Sequence, residues 1–258
     1  MMRNTVWTLT ISALLTAASA QISYQEQGDA GDLPATAQLV SVAGAQPCQT
    51  PVQSIRGQMD ADDVDMFVIC ITDPAAFSAS TVGTTAWDTQ LWLFKCDGRG
   101  VVHNDDNPDG AGLGSRIDNR TNCIQQPGIY LLAISRYNRD PVTADGLTLW
   151  DPLGNNRLVR CPDGIRADEP VGAWAGATQA AGEYVIQLTG AYSVSENGCC
   201  VTAGGDVDLD GCVDSADLLR ILFVFGNTGQ FLPEDVTCDG IVDSDDLLTV
   251  LFNFGNGC

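Results

Sequence analysis

Two stretches near the carboxy terminus match one another in register. "DVDLDGCVDSADLLRILFVFG" (Asp206 to Gly226) aligns without gaps to "DVTCDGIVDSDDLLTVLFNFG" (Asp235 to Gly255), 29 residues on, with 14 of 21 positions identical. Such a repeat implies two copies of one supersecondary unit packed on each other. Each copy opens on clustered acids, which repel when brought together. An acidic block is usually a solvated tail. Here each block runs into an apolar segment, "LLRILFVF" or "LLTVLFNF", which no solvated tail would carry.

The spacing of the acids points to a divalent cation. Counted from Asp206, acids fall at positions 1, 3, 5, 9 and 12 (Asp206, Asp208, Asp210, Asp214, Asp217). Gly211 stands at position 6, where a calcium loop turns sharply, and Cys212 at position 7 offers its backbone carbonyl. A hard cation takes six to eight oxygens at about 2.3–2.6 Å, and this spacing wraps oxygens around one point. The second copy has Asp235, Thr237, Asp239, Ile241, Asp243 and Asp246 at the corresponding positions, with Gly240 at the turn. Two Ca²⁺ sites are expected, with ion binding coupled to folding. Thr237 replaces a carboxylate with a neutral oxygen, so the second site is expected to bind more weakly. A helix over Asp217 to Phe225 is expected after the first loop. Both helices are apolar nearly all round, so each is expected to leave a face that needs another surface.

Position 12 holds Asp, where a common EF-hand loop has Glu. This Asp, the duplication, the 29-residue offset and the length from Gly204 to Cys258 together resemble a type I dockerin. The resemblance implies docking onto a cohesin module of another protein, as in bacterial polysaccharide-degrading assemblies. It also implies that positions 10 and 11 of each loop help set partner choice; here these are Ser215 and Ala216, then Ser244 and Asp245. Unlike many dockerins, this segment carries Cys212, Cys238 and Cys258, and a Cys212–Cys258 disulfide would clamp its ends. The surface that covers the helices is expected to be either a cohesin-like partner or this chain's own β-domain.

The net charge of -21 and the scatter of only 12 Lys and Arg argue against nucleic acid and anionic membranes. Arg3, the apolar run from Thr5 to Ala17 and Ala18-Ser19-Ala20 read as a secretory signal peptide over 1–20, cut after Ala20. No later run is long enough for a transmembrane segment. The ten cysteines all follow that cut, and an even count in an exported chain favours disulfides. Cys199 and Cys200 adjoin, so different partners are expected for them. The expected location is extracellular or at the cell surface of a bacterium.

After a lead segment over 21–35, residues 36–192 carry short strand-like runs: "VDMFVICI", "TQLWLFKC", "GIYLLAIS" and "EYVIQLTG". With no sustained helical period, they predict a mainly β chain with a β-sandwich or jelly roll, joined through a 193–204 linker to a small all-α module over 205–258. These runs, with "IRGQMDADDVD" and "GRGVVHNDD", are similar to bacterial pre-peptidase C-terminal domains. That resemblance implies an accessory, binding or stabilising jelly roll, with 148–178 as an inserted stretch. Some members bind calcium, which makes Asp63, Asp65, Asp105 and Asp106 candidates for a further site in the β-domain. The plainer reading, surface turn acids, is preferred.

Catalysis is not expected. The sole histidine, His103, reads as part of an exposed polar turn, and neither "HEXXH" nor "GXSXG" occurs. "DGAGLGSR" precedes no helix, so it is no phosphate cradle. The expected function is an exported, calcium-binding, non-catalytic adaptor whose β-domain binds a carbohydrate or cell-surface ligand. A secreted polysaccharide-acting hydrolase and a surface structural protein with an intramolecular calcium clamp are the alternatives.

Overall fold

The computed structural model describes residues 22–46, 48–152, 157–176, 182–194, 205–208, 212–228, 232, 234–237 and 241–258. The expected signal peptide, residues 195–204 of the expected linker, Cys199, Cys200, Asp210, Cys238 and Asp239 lie outside the described residues. The chain is mainly β, with two short helices at its carboxy end. The strands are β1 (Ile22–Gln25), β2 (Gln38–Leu39), β3 (Pro51–Gln58), β4 (Asp65–Ile71), β5 (Ser78–Ser80), β6 (Thr89–Lys95), β7 (Gly100–Asn104), β8 (Arg116–Asp118), β9 (Gly128–Arg136), β10 (Arg139–Val142), β11 (Ala173–Gly176) and β12 (Glu183–Tyr192). The helices are α1 (Ser215–Phe223) and α2 (Ser244–Asn253). No described helix is long and apolar enough to cross a membrane.

Ten strands form one sheet, ordered β1-β3-β12-β4-β9-β6-β7, with β2 on β4 and β5 bridging β12 to β8. β1 runs parallel to β3, so the segment read as a lead is part of the sheet. β12 pairs with β3 along most of its length, then meets β4 through Ala191 and Tyr192. The register shifts at Gly190, whose φ of +66° suits glycine, and a Cβ there would stand 2.7 Å from the Ala76 carbonyl oxygen.

The central strands β4, β9 and β6 are buried on both faces, which explains their nearly unbroken apolar sequences. Phe67, Ile69 and Ile71 of β4 join Leu91, Leu93, Leu132 and Ile134 in one apolar cluster, closed by Ile55, Tyr184 and Ile186. Met66, Val68 and Cys70 point the other way, with Trp92, Phe94, Leu131 and Ala133, and are covered by Leu149, Trp150, Val171 and Trp174. The stretch expected as an insertion therefore roofs the second face. Trp174 Nε1 donates to the Asp32 carbonyl at 2.6 Å, tying the roof to the chain before β2. Disulfides Cys48–Cys70 and Cys123–Cys161 staple long loops to this body.

The repeat has its own core, and the core is duplicated. Val207 and Val236, Val213 and Val242, and Ile221 and Val250 are buried together, each pair 29 residues apart. Each copy closes the other. Val213 N–H donates to the Asn256 carbonyl at 2.9 Å, and the Val213 carbonyl accepts from Gly255 N–H at 2.8 Å. Val242 N–H donates to the Asn227 carbonyl at 2.9 Å, and the Val242 carbonyl accepts from Gly226 N–H at 2.7 Å. A Cys212–Cys258 disulfide joins the first loop to the end of the chain.

Candidate functional sites

In the first loop, Asp206, Asp208 and Asp217 each bring a carboxylate oxygen within 4.8 Å of the others. Asp217, fully buried, organises the loop. Its Oδ1 accepts from Val207 N–H at 2.6 Å and Asp208 N–H at 3.1 Å, and its Oδ2 accepts from Asp214 N–H at 2.8 Å. Asp246 does the same in the second loop, accepting from Thr237 N–H at 2.9 Å and Asp243 N–H at 2.7 Å. Asp214 and Asp243 are N-caps, accepting from Ala216 and Asp245 N–H at 2.7 and 2.8 Å. Their capping starts each helix one residue later, so α1 begins at Ser215, not Asp217, and ends at Phe223. Thr237 lies beside Asp235, its hydroxyl 3.4 Å from Asp235 Oδ1. Cys212 and Ile241 lie where each loop turns into its helix, and Ile241 bridges to Thr228. Arg220 approaches Asp208 at 3.9 Å, one positive charge against three carboxylates. An all-oxygen set with this charge is the donor chemistry of a hard divalent ion.

Beyond the loops, the helices present a duplicated apolar surface. Leu219 and Leu248, Leu222 and Leu251, Phe223 and Phe252, and Phe225 and Phe254 are all exposed, again in pairs 29 residues apart. Phe223 and Phe252 are the extremes, at 84% and 85% exposure in the intact chain. Among the described residues, the β region does not cover them. Ser215, Ala216, Ser244 and Asp245 are exposed at the helix starts.

The β region holds a different acidic site. Asp29, Asp63 and Asp65 bring carboxylate oxygens within 4.8 Å of one another. The preferred reading of surface turn acids fails here, because Asp65 is the first residue of β4 and is 0% exposed. Neither of its oxygens has a hydrogen bond of good geometry, and the Tyr184 hydroxyl beside it lacks one too. Burial, with Glu26, Asp63 and Asp29 adding repulsion, pushes the Asp65 carboxyl up to about 8. Burial and the Asp65 charge push the Tyr184 hydroxyl far up as well. Glu26 faces the same spot and is held by Ala30 N–H at 3.2 Å and Gln58 N–H at 2.8 Å. Sequence reasoning missed Glu26 and Asp29, because they precede the expected domain. Their acidity next to the "DADDVD" turn becomes visible only once β1 is laid on β3. The bare buried carboxylate makes this set, too, fit a divalent cation.

Asp105 and Asp106 gather with Asp88 in a third cluster. Asp105 is also buried, and burial, followed by Asp88, Asp106 and Asp140, pushes it up to about 8.

His103 is not in an exposed turn. It lies in β7 opposite Trp92 of β6, buried, with its ring stacked on that indole at a centroid distance of 3.7 Å. Burial and the Arg160 charge push its imidazole down to about 3.

No protein-family model matches the chain, and no curated protein matches it.

Proposed function

We propose that the chain is an exported, calcium-binding, non-catalytic adaptor, with a dockerin-like module at its carboxy end and a jelly-roll binding module before it. The observation that carries this is the doubled apolar surface of Leu219, Leu222, Phe223 and Phe225 with Leu248, Leu251, Phe252 and Phe254, left exposed in the intact chain. Exposed apolar patches of this kind mark protein-interaction surfaces. The duplication offers a cohesin-type partner two related faces, with Ser215 and Ala216, or Ser244 and Asp245, at their rims. Asp206, Asp208 and Asp217 would hold one Ca²⁺ and Asp235 and Asp246 another, joined by Asp210 and Asp239. The ion would offset carboxylate repulsion and so fix the helices that bear the apolar faces. Asp29, Asp63 and Asp65 would hold a further ion in the β region. A catalytic role gains no support from His103, since an imidazole that protonates only near pH 3 is a poor base partner for an acid step.

The test uses the full chain, in calcium or in chelator, titrated with purified type I cohesin modules. The expected outcome is one-to-one binding that vanishes in chelator, and heat on Ca²⁺ titration that falls when Asp206 and Asp235 become Asn. Binding indifferent to chelator, or no calcium heat, would remove this reading. Hydrolysis of a polysaccharide by the same sample would favour the hydrolase alternative.

A further inference from the structure

A cavity of ≈ 260 Å³ opens beside β7, between the turn at Tyr137 and Asn138 and the segment around Arg160. Its inner wall is aromatic. Trp92 carries the stacked His103, and Trp150 meets Trp92 edge-on at 5.2 Å. Two polar atoms at this wall are buried and have no hydrogen-bond partner, His103 Nδ1 and Asp105 Oδ1. Buried polar atoms left unmatched are costly, so they ask for a bonded occupant. On the β10 side, Gln90 Nε2 donates to Asp140 Oδ1 at 2.9 Å, a bond that does not use the second oxygen of Asp140. Tyr137 stands half-exposed among the lining residues.

The charges select against ions. Arg160 is committed to both oxygens of Asp163, at 2.8 and 2.7 Å, so it does not offer a bare guanidinium to an anion. Asp151 lines the same space and repels anions, while burial, raising the Asp105 and Asp140 carboxyls, reduces the charge they offer a cation. What remains is a neutral molecule with an apolar face and several hydroxyls that both donate and accept. A hexose displaces roughly six waters at about 30 Å³ each, which the cavity accommodates.

We propose that this cavity binds one neutral pyranose unit, its ring face against the aromatic wall and its hydroxyls on His103 Nδ1, Asp105 and Asp140. The inference rests on the reading of the β region as a binding module and is independent of the calcium loops.

The experiment titrates the full chain with D-glucose, D-galactose, D-mannose, D-xylose and N-acetyl-D-glucosamine, with tetramethylammonium and sulfate alongside. Tryptophan fluorescence and saturation-transfer NMR report binding. At least one sugar is expected to bind and perturb the tryptophan emission, and the two ions are not. Asp140→Asn and Tyr137→Ala are each expected to weaken that sugar about tenfold, the scale of one lost hydrogen bond or ring contact, with unchanged melting temperature. If a variant melts early, His103→Gln replaces it. Silence from all five sugars, preference for tetramethylammonium, or sugar binding that survives the variants would each overturn the proposal. Release of sugar from p-nitrophenyl glycosides would instead sink the non-catalytic reading while leaving the cavity occupied, so the two failures are separable.

Discussion

The β region and the repeat solve the problem of burying acid in opposite ways. Asp65 and Asp217 are both 0% exposed. Asp217 accepts three backbone N–H groups, which return much of what its oxygens lose on leaving water. Asp65 has no comparable donors and sits among other carboxylates. One therefore organises the loop around it. The other is a buried acid whose proton is retained through burial and the neighbouring carboxylates. Apolar surface shows the same contrast. The β region covers both faces of its central strands, whereas the repeat, among its described residues, buries three apolar pairs and leaves four exposed. Burial alone thus says little about the role of a residue; the partners of its polar atoms say more.

The largest expected effect breaks or confirms this contrast directly. Asp217→Ala strands three N–H groups, that of Val207 buried and those of Asp208 and Asp214 part-buried, at about 1–3 kcal/mol for the buried one, and is expected to abolish amide-exchange protection of both α1 and α2. Asp65→Asn is expected to do the reverse and raise the melting temperature in chelator at pH above 8, where the buried carboxyl would otherwise ionise. If the two substitutions destabilise alike, the contrast is lost.

Next in size is a pH effect. Burial raises the Asp65 carboxyl from 3.8 to about 8, so between those values the folded chain holds a proton that the unfolded chain has released. Its contribution to stability is complete below about pH 4 and disappears as pH rises through 8. Thermal melts in chelator are expected to fall across that window. Asp65→Asn should flatten the slope, and an unchanged slope would assign the effect elsewhere.

The smallest effect on stability belongs to the exposed rings. Phe223→Ser and Phe252→Ser are each expected to change stability by no more than about 0.5 kcal/mol. With two related faces, each single variant should keep cohesin binding, and the double variant should lose it. Loss from one single variant would show that only one face is used.

Much of this was legible in the sequence, for physical reasons. The strand β12 alternates, and Tyr184, Ile186 and Leu188 do face the core together. The two-copy pattern makes core pairs such as Val213 and Val242 readable by simple offset. The roof over β4 was not legible, because Leu149, Trp150 and Trp174 lie roughly 80–110 residues along the chain, beyond any local period. His103 was misread because Asn104, Asp105 and Asp106 follow it in sequence. Counting back across the "CDG" turn sets it opposite Leu91, and only a register shift between Leu93 and Phe94 brings it opposite Trp92. Asp65 was misread because a strand's first residue looks like the turn before it.

The crosswise bonds of Val213 and Val242 bear on how the repeat is lost. Neither half owns the partners that finish its own loop, so melting one removes the edge on which the other ends. Unfolding there should be all-or-none, and a chain truncated after the first copy should be stable only by borrowing a second molecule. The duplication thus reads as a symmetric dimer fused into one polypeptide, with the Cys212–Cys258 bridge, which pairs with no counterpart at Ile241, marking where that symmetry was broken.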